Sequence, residues 1–106
     1  GRRDRQIKIT GYRIELGEVE SVALQSGLLE AAAVTVFEET QILLHVVPMP
    51  KSTLDSAVLK SWLAAHLPRH AIPSSVIEHR LFPVTATGKI DYIRLKTSAY
   101  PAPQEN

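Results

Sequence analysis

The chain has 106 residues, 44% hydrophobic and 22% charged, with twelve Lys and Arg against eleven Asp and Glu, a formal charge of +1. So even a balance excludes a basic phosphate-tracking surface, and the lack of cysteine excludes disulfides and thiolate metal sites. No apolar run approaches the roughly 20 residues that span a bilayer, and the N-terminus lacks a signal-peptide core, so the sequence predicts one cytoplasmic domain with no nucleic-acid or membrane partner.

Short alternating runs open the chain. Ile7 and Ile9, then Tyr12 and Ile14, flank Gly11, the pattern of a small hairpin turning at glycine. From Gly17 to about Gln25, Val19, Val22 and Ala23 fall at helical spacing. Glu18 and Glu20 are expected in the first turn, where the helix dipole favours anions, and Gly27 is the expected stop.

Two apolar, β-branched runs follow, Ala31 to Phe37 and Gln41 to Val47, joined by Glu38-Glu39-Thr40; they predict a second hairpin. Pro48, Pro50 and Ser52 interrupt the pattern. A helix is then expected from about Leu54 to His66, with Val58, Trp62 and Ala65 on the buried face and Leu59 and Leu63 beside them. Pro68 and Pro73 bracket a loop, and Val76 to Leu81 reads as a third sheet strand ended by Pro83. The loop Thr85 to Lys89 leads into a last helix from about Asp91, with Asp91 as its cap. The sum is a small single α+β domain: an N-terminal β-hairpin, then a roughly three-stranded sheet packed with helices on one side, and a mobile tail over 101–106.

Three segments carry more glycine, proline and charge than a plain core needs: Gly1 to Glu20, Leu67-Pro68-Arg69-His70-Ala71-Ile72-Pro73, and Thr85-Ala86-Thr87-Gly88-Lys89-Ile90-Asp91. Taken alone, a Gly-Lys pair before a helix is ordinary loop chemistry, because short motifs match by chance. Its sharper reading is an ammonium on a glycine-permitted turn, able to reach beyond its own domain and neutralise oxyanion or phosphate charge. The full glycine-rich phosphate loop is missing, so such a lysine needs a partner surface. His45, His66, His70 and His79 lack metal-ligand spacing, and no metal site is expected. Ser52, Ser56 and Ser61 have no nucleophile context, and Trp62 reads as core.

In this order and spacing, the three segments resemble the last core motifs of adenylate-forming enzymes, which include nonribosomal peptide synthetase adenylation domains, acyl-CoA ligases and firefly luciferase. The resemblance runs from Gly1 to about Leu95, and Ile14-Glu15-Leu16-Gly17-Glu18-Val19-Glu20 is most similar to the amino-acid-activating branch. It implies that residues 1–100 form a C-terminal lid subdomain with a hinge at about residue 4.

The roles follow residue by residue. Asp4 matches the hinge. Arg2 matches an arginine that contacts the nucleotide near ribose and phosphate. Lys8 matches a lysine used in the second half-reaction by some relatives, and the Gly11-Tyr12-Arg13 turn would approach a pantetheine arm. Lys89, supported by Thr87 and Gly88, matches the catalytic lysine that bridges substrate carboxylate and ATP phosphate. The resemblance further implies ATP and Mg²⁺, held mainly by an N-terminal core domain, an amino-acid substrate, and transfer of the acyl group to the phosphopantetheine of a peptidyl carrier protein. The phosphate-binding loop, ribose-binding aspartate and substrate pocket of that core are not in these 106 residues, so the chain alone is expected to be inert.

The sequence departs from the family pattern at Thr10, at His70-Ala71 in place of Tyr-Met, at Thr87 in place of asparagine, and at Tyr92 in place of arginine or lysine. The alternatives are the lid of an acyl- or aryl-CoA ligase, or a non-catalytic carrier-docking domain. A hinge aspartate and a loop lysine argue against the last, since docking needs neither.

Overall fold

A computed structural model describes residues 6–9 and 11–98, the side chain of Ser98 excepted; Arg2, Asp4, Thr10 and the expected tail lie outside the described residues. Strands β1 (Gln6–Ile9) and β2 (Tyr12–Glu15) pair antiparallel about Gly11, as expected. Gly11 sits at φ +83° with open space around the position of a Cβ. Its requirement is therefore the left-handed backbone rather than a close approach. Inward-facing Ile9 and Ile14 join the hairpin to the main core.

Helix α1 (Leu16–Leu24) starts one residue earlier than its glycine suggests, with Glu15 at the cap position. Only Glu18 then occupies the first turn, and Glu20 moves past it. The helix ends where the Ser26 hydroxyl donates to the Ala23 carbonyl at 2.7 Å, and Gly27 follows at φ +79°.

Strands β3 (Leu29–Phe37) and β4 (Gln41–Pro48) form the expected hairpin, with an irregularity between Leu29 and Ala31. Its turn holds Glu38 and Glu39 at φ +54° and +62°, with Thr40 N–H donating to the Phe37 carbonyl. Two consecutive non-glycine residues at positive φ are uncommon and strained.

Helix α2 (Ser56–His66) begins two residues later than expected, because the Asp55 carboxylate caps it by accepting from Ala57 and Val58 N–H. Its rotation also differs. Leu59 and Leu63 are the fully buried residues, Val58 is 50% exposed, Ala65 is exposed and Trp62 is half-buried. The cause is polar: the Trp62 indole N–H donates to the Val22 carbonyl at 2.8 Å, which holds the ring toward α1 and turns the leucine row onto the sheet. Trp62 packs against the core as expected, and His66 stacks on it at 3.8 Å.

Pro68 enters a single 3-10 turn over Arg69–Ala71, and β5 (Ser75–Glu78) pairs parallel to β4. The parallel pairing is possible because α2 provides the long crossover. β5 is shorter than the expected Val76–Leu81: one more ladder bond runs from His79 N–H to the Val46 carbonyl, after which the chain leaves the sheet and Phe82 is buried. Helix α3 (Tyr92–Ser98) follows Asp91, whose carboxylate accepts from Arg94 N–H at 3.1 Å, as expected of a cap.

The sheet order is β3-β4-β5. Ala32, Val34, Ile42, Leu44 and Val46 face a large core with α1 and α2, whereas Ala33 and Val47 face a second cluster with Phe82 and Leu95. Helices on one side only is therefore corrected to cover on both faces. The strands' second side is too apolar to leave in water, and α3 closes it.

On that second side His45 is fully buried. Its Nε2 lies 2.8 Å from the Thr35 hydroxyl and its Nδ1 lies 2.9 Å from His79 Nε2. The neutral rings complete this chain in either direction. Burial, then the neighbouring His79, lowers the His45 pKa to about 4, and burial lowers His79 also. The unfolded chain therefore binds more protons below about pH 6.5, so this contribution to stability is complete above that pH and is lost as pH falls toward about 4.

The thermal midpoint is expected to drop between pH 7 and pH 5, ahead of most carboxylate titration, with a total loss of order 3 kcal/mol at the acid end. His45→Gln should flatten the dependence; an equally steep slope in that variant would remove His45 as its source. In the β3–β4 turn, replacing Glu38-Glu39 by Asn-Gly relieves two left-handed side chains and should raise stability by about 1 kcal/mol, read as a Tm gain of roughly 4–8 °C. An unchanged or lower Tm would show that the turn stores no strain.

Candidate functional site

Lys89 lies on a tight hairpin. Val84 and Ile90 form an antiparallel bridge, Thr85 N–H donates to the Lys89 carbonyl at 2.7 Å, and Gly88 N–H donates to the Thr85 carbonyl at 2.9 Å. The Thr85 hydroxyl accepts from Lys89 N–H at 3.3 Å and lies 3.1 Å from the Thr87 hydroxyl. Gly88 takes φ +86° with nothing within 4 Å of a Cβ position. The turn thus needs glycine for its dihedral rather than for a close approach.

This turn is stiff at its base. Phe82 before it and Leu95 after it enter the same buried cluster, and Asp91 N–H donates to the Pro83 carbonyl at 2.9 Å. Tyr92, at the start of α3, donates its hydroxyl to Glu20 Oε2 at 2.9 Å, and the same oxygen accepts from Val34 N–H at 2.8 Å. One carboxylate therefore ties α1, β3 and α3 together. Lys89 itself is exposed. On the segments leading into and out of this hairpin, Leu81, Val84 and Ile93 are also exposed, at 75%, 56% and 80%.

The second expected group lies on the N-terminal hairpin. Lys8 is exposed and in register with Arg13. Arg13 Nη1 donates to Gln6 Oε1 at 3.0 Å, and Gln6 Nε2 donates to a Glu15 carboxylate oxygen, so the polar face of the hairpin is cross-linked. Tyr12 lies flat on His70, with centroids 4.1 Å apart and planes 9° from parallel. This stack joins the Gly11 turn to the 3-10 turn.

Lys8 lines two open clefts. One, of about 560 Å³, is shared with Ile7, Val36, Glu38, Glu39 and Lys96; the other, of about 210 Å³, with Gln6, Ile7 and Arg13. Lys89 lines neither. The structure thus brings Lys8, Gly11, Tyr12 and Arg13 together, and Thr87, Gly88 and Lys89 together, as separate sites on one body. The sequence reading missed three links between distant segments: Glu20 with Tyr92, His45 with His79, and Tyr12 with His70. Only the strand alternation that points His45 away from Leu44 and Val46 hinted at one of them.

Among the described residues no group of three His, Cys, Asp or Glu could hold a metal ion, and no helix is long and apolar enough to cross a membrane. The arrangement can present a single ammonium on a firm hairpin, and it can offer an exposed aromatic turn.

Residues 18–89 match the family model described as the AMP-binding enzyme C-terminal domain. The chain is 40% identical over 93 residues to tyrocidine synthase 3 of Brevibacillus parabrevis, covering 86% of this chain and 1% of that protein. It is 38% identical over 107 residues to the dimodular nonribosomal peptide synthase of Bacillus subtilis (strain 168), covering 97% and 4%. Among solved structures, NpsA of Klebsiella oxytoca in complex with 3-hydroxyanthranilyl-AMSN superposes with a TM-score of 0.82 at 32% identity, over 93% of this chain and 20% of that one. The chain therefore spans a few per cent of these curated relatives and a fifth of the solved protein. The fold, the ordered motifs and these matches agree: the chain belongs to the C-terminal domain family of AMP-binding, adenylate-forming enzymes.

Proposed function

We propose that this chain is the mobile C-terminal lid of an amino-acid-activating adenylation enzyme, and that Lys89 is its catalytic lysine. The observation that carries the reading is the placement of Lys89: an exposed ammonium on a hairpin anchored at both ends in a buried cluster. Support for the amino-acid branch comes from the 38–40% identity to the synthetases named above.

Joining a carboxylate to the α-phosphate of ATP brings negative groups together, so a cation held at that junction lowers the barrier. ATP fits this arrangement only in part. Lys89 can meet a phosphate oxygen, while Mg²⁺ would be held by the N-terminal core, because the described residues offer no carboxylate cluster for it. The exposed Leu81, Val84 and Ile93 support a surface that closes on another domain. In the second half-reaction the lid rotates about Asp4, carrying Lys89 away and bringing the Gly11-Tyr12-Arg13 turn and Lys8 toward the phosphopantetheine thiol of a peptidyl carrier protein. Arg2 contacts the nucleotide. Alone, the chain is inert.

In the enzyme formed with its N-terminal core, Lys89→Ala should lower amino-acid-dependent ATP–pyrophosphate exchange by about 100- to 1,000-fold. Transfer from supplied aminoacyl-AMP to the carrier should persist. Normal exchange in that variant would remove Lys89 from catalysis. Asp4→Pro, which fixes φ near −65°, should impair one half-reaction much more than the other, measured by comparing exchange with carrier loading; equal losses would count against a hinge at Asp4.

A further inference from the structure

We propose that Tyr92 and Glu20 are a positioning pair that sets the Lys89 hairpin for adenylation; the inference rests on the reading of Lys89 as the lysine of that half-reaction. The geometry begins with α3, whose seven described residues are too few to hold a helix by their own hydrogen bonds. Its placement depends on what it touches. Leu95 is fully buried against Ala33, Val47 and Phe82, but apolar contact is non-directional and fixes depth better than rotation. A directional contact comes from the Tyr92 hydroxyl, which donates to Glu20 Oε2 at 2.9 Å.

Tyr92 and Leu95 lie three apart on one face of the helix, so together they fix both its depth and its turn. Glu20 is itself held, since the oxygen that receives Tyr92 also receives Val34 N–H at 2.8 Å from the sheet. A hydrogen bond to a charged acceptor is among the stronger neutral-donor contacts in a protein.

From Tyr92 the path back to the lysine is short and rigid. Asp91 N–H donates to the Pro83 carbonyl, Ile90 bridges Val84, and the Lys89 carbonyl accepts from Thr85 N–H. Each link closes a ring between the arms of the hairpin, so a shift at Tyr92 is passed to Lys89 rather than absorbed. Misplacement of a catalytic group by about 1 Å can cost on the order of 100-fold in rate. The phenol thus acts through Lys89 without touching substrate.

The test uses the enzyme containing both the core domain and this chain. Tyr92→Phe keeps the ring and removes the donor. Its pyrophosphate-exchange kcat is expected to fall about tenfold, with KM values for ATP and amino acid and the thermal midpoint little changed, and with acyl transfer from supplied aminoacyl-AMP retained. Glu20→Gln, which keeps an acceptor oxygen of the same reach, is expected to lose less.

The deciding measurement is the double variant. In a Lys89→Ala background, Tyr92→Phe should cost nothing further, because a positioning residue has no effect once the group it positions is gone. An equal loss in both backgrounds, or no loss in either, would overturn the inference and leave Lys89 catalytic. If Lys89→Ala alone left exchange intact, the reading of Lys89 would fall instead.

Discussion

Strand β4 is the constraint on which the remainder of this fold depends. Six consecutive residues, Ile42 to Val47, are buried, so both faces of the strand must be covered. That demand fixes its neighbours. One side takes α1 and α2 through Val19, Ala23, Leu59 and Leu63; the other takes Phe82 and Leu95. A central strand also needs partners along both edges, and the chain supplies β3 by a tight turn and β5 by a helical crossover. The polar exception within the strand, His45, is tolerated because Thr35 and His79 satisfy both its ring nitrogens, at the cost of a charge the site resists.

Polar contacts between distant segments turn this core into a platform. Glu20 ties α1 to β3 and to α3, and the Tyr12–His70 stack ties the N-terminal hairpin to the segment before β5. Both motif-bearing turns are therefore docked on the same sheet-centred body. On the proposed reading this has a mechanical meaning. Neither turn needs to refold between half-reactions, because one rotation of the whole body withdraws Lys89 and delivers the Gly11 turn. A flexible lysine loop would gain reach but would have to be ordered again in every cycle, against its conformational entropy.

Much of the fold was legible because its signals are local. The β-branched runs, the glycine at the first turn, the Asp91 cap and the prolines at the ends of elements act over a few residues, and each fell close to its expected place. The misreadings share a cause. On α2, the Val58–Trp62–Ala65 row and the Leu59–Leu63 row are adjacent stripes, and periodicity alone does not choose between them; a bond from Trp62 to Val22, forty residues away in sequence, does. Glu20 looked like a dipole-stabilising residue of the first turn and became the acceptor for a phenol 72 positions later. The candidate site divides in the same way. The motif order names Lys89 and the Gly11 turn as candidates, whereas the contacts that dock these turns on the core were invisible, because hydrogen bonds across the fold leave no periodic trace.

Two of the sequence's departures from its family pattern acquire a physical account at these junctions. Tyr92, where arginine or lysine is usual, offers a donor long enough to reach the Glu20 carboxylate, so at this position a neutral phenol is the anchor. His70, where tyrosine is usual, keeps a flat ring against Tyr12 at 4.1 Å. In both places the residue present makes a defined contact with a distant segment of the fold. On the proposed reading, contacts of this kind serve a rigid lid, because they hold the two motif-bearing turns fixed to the same core.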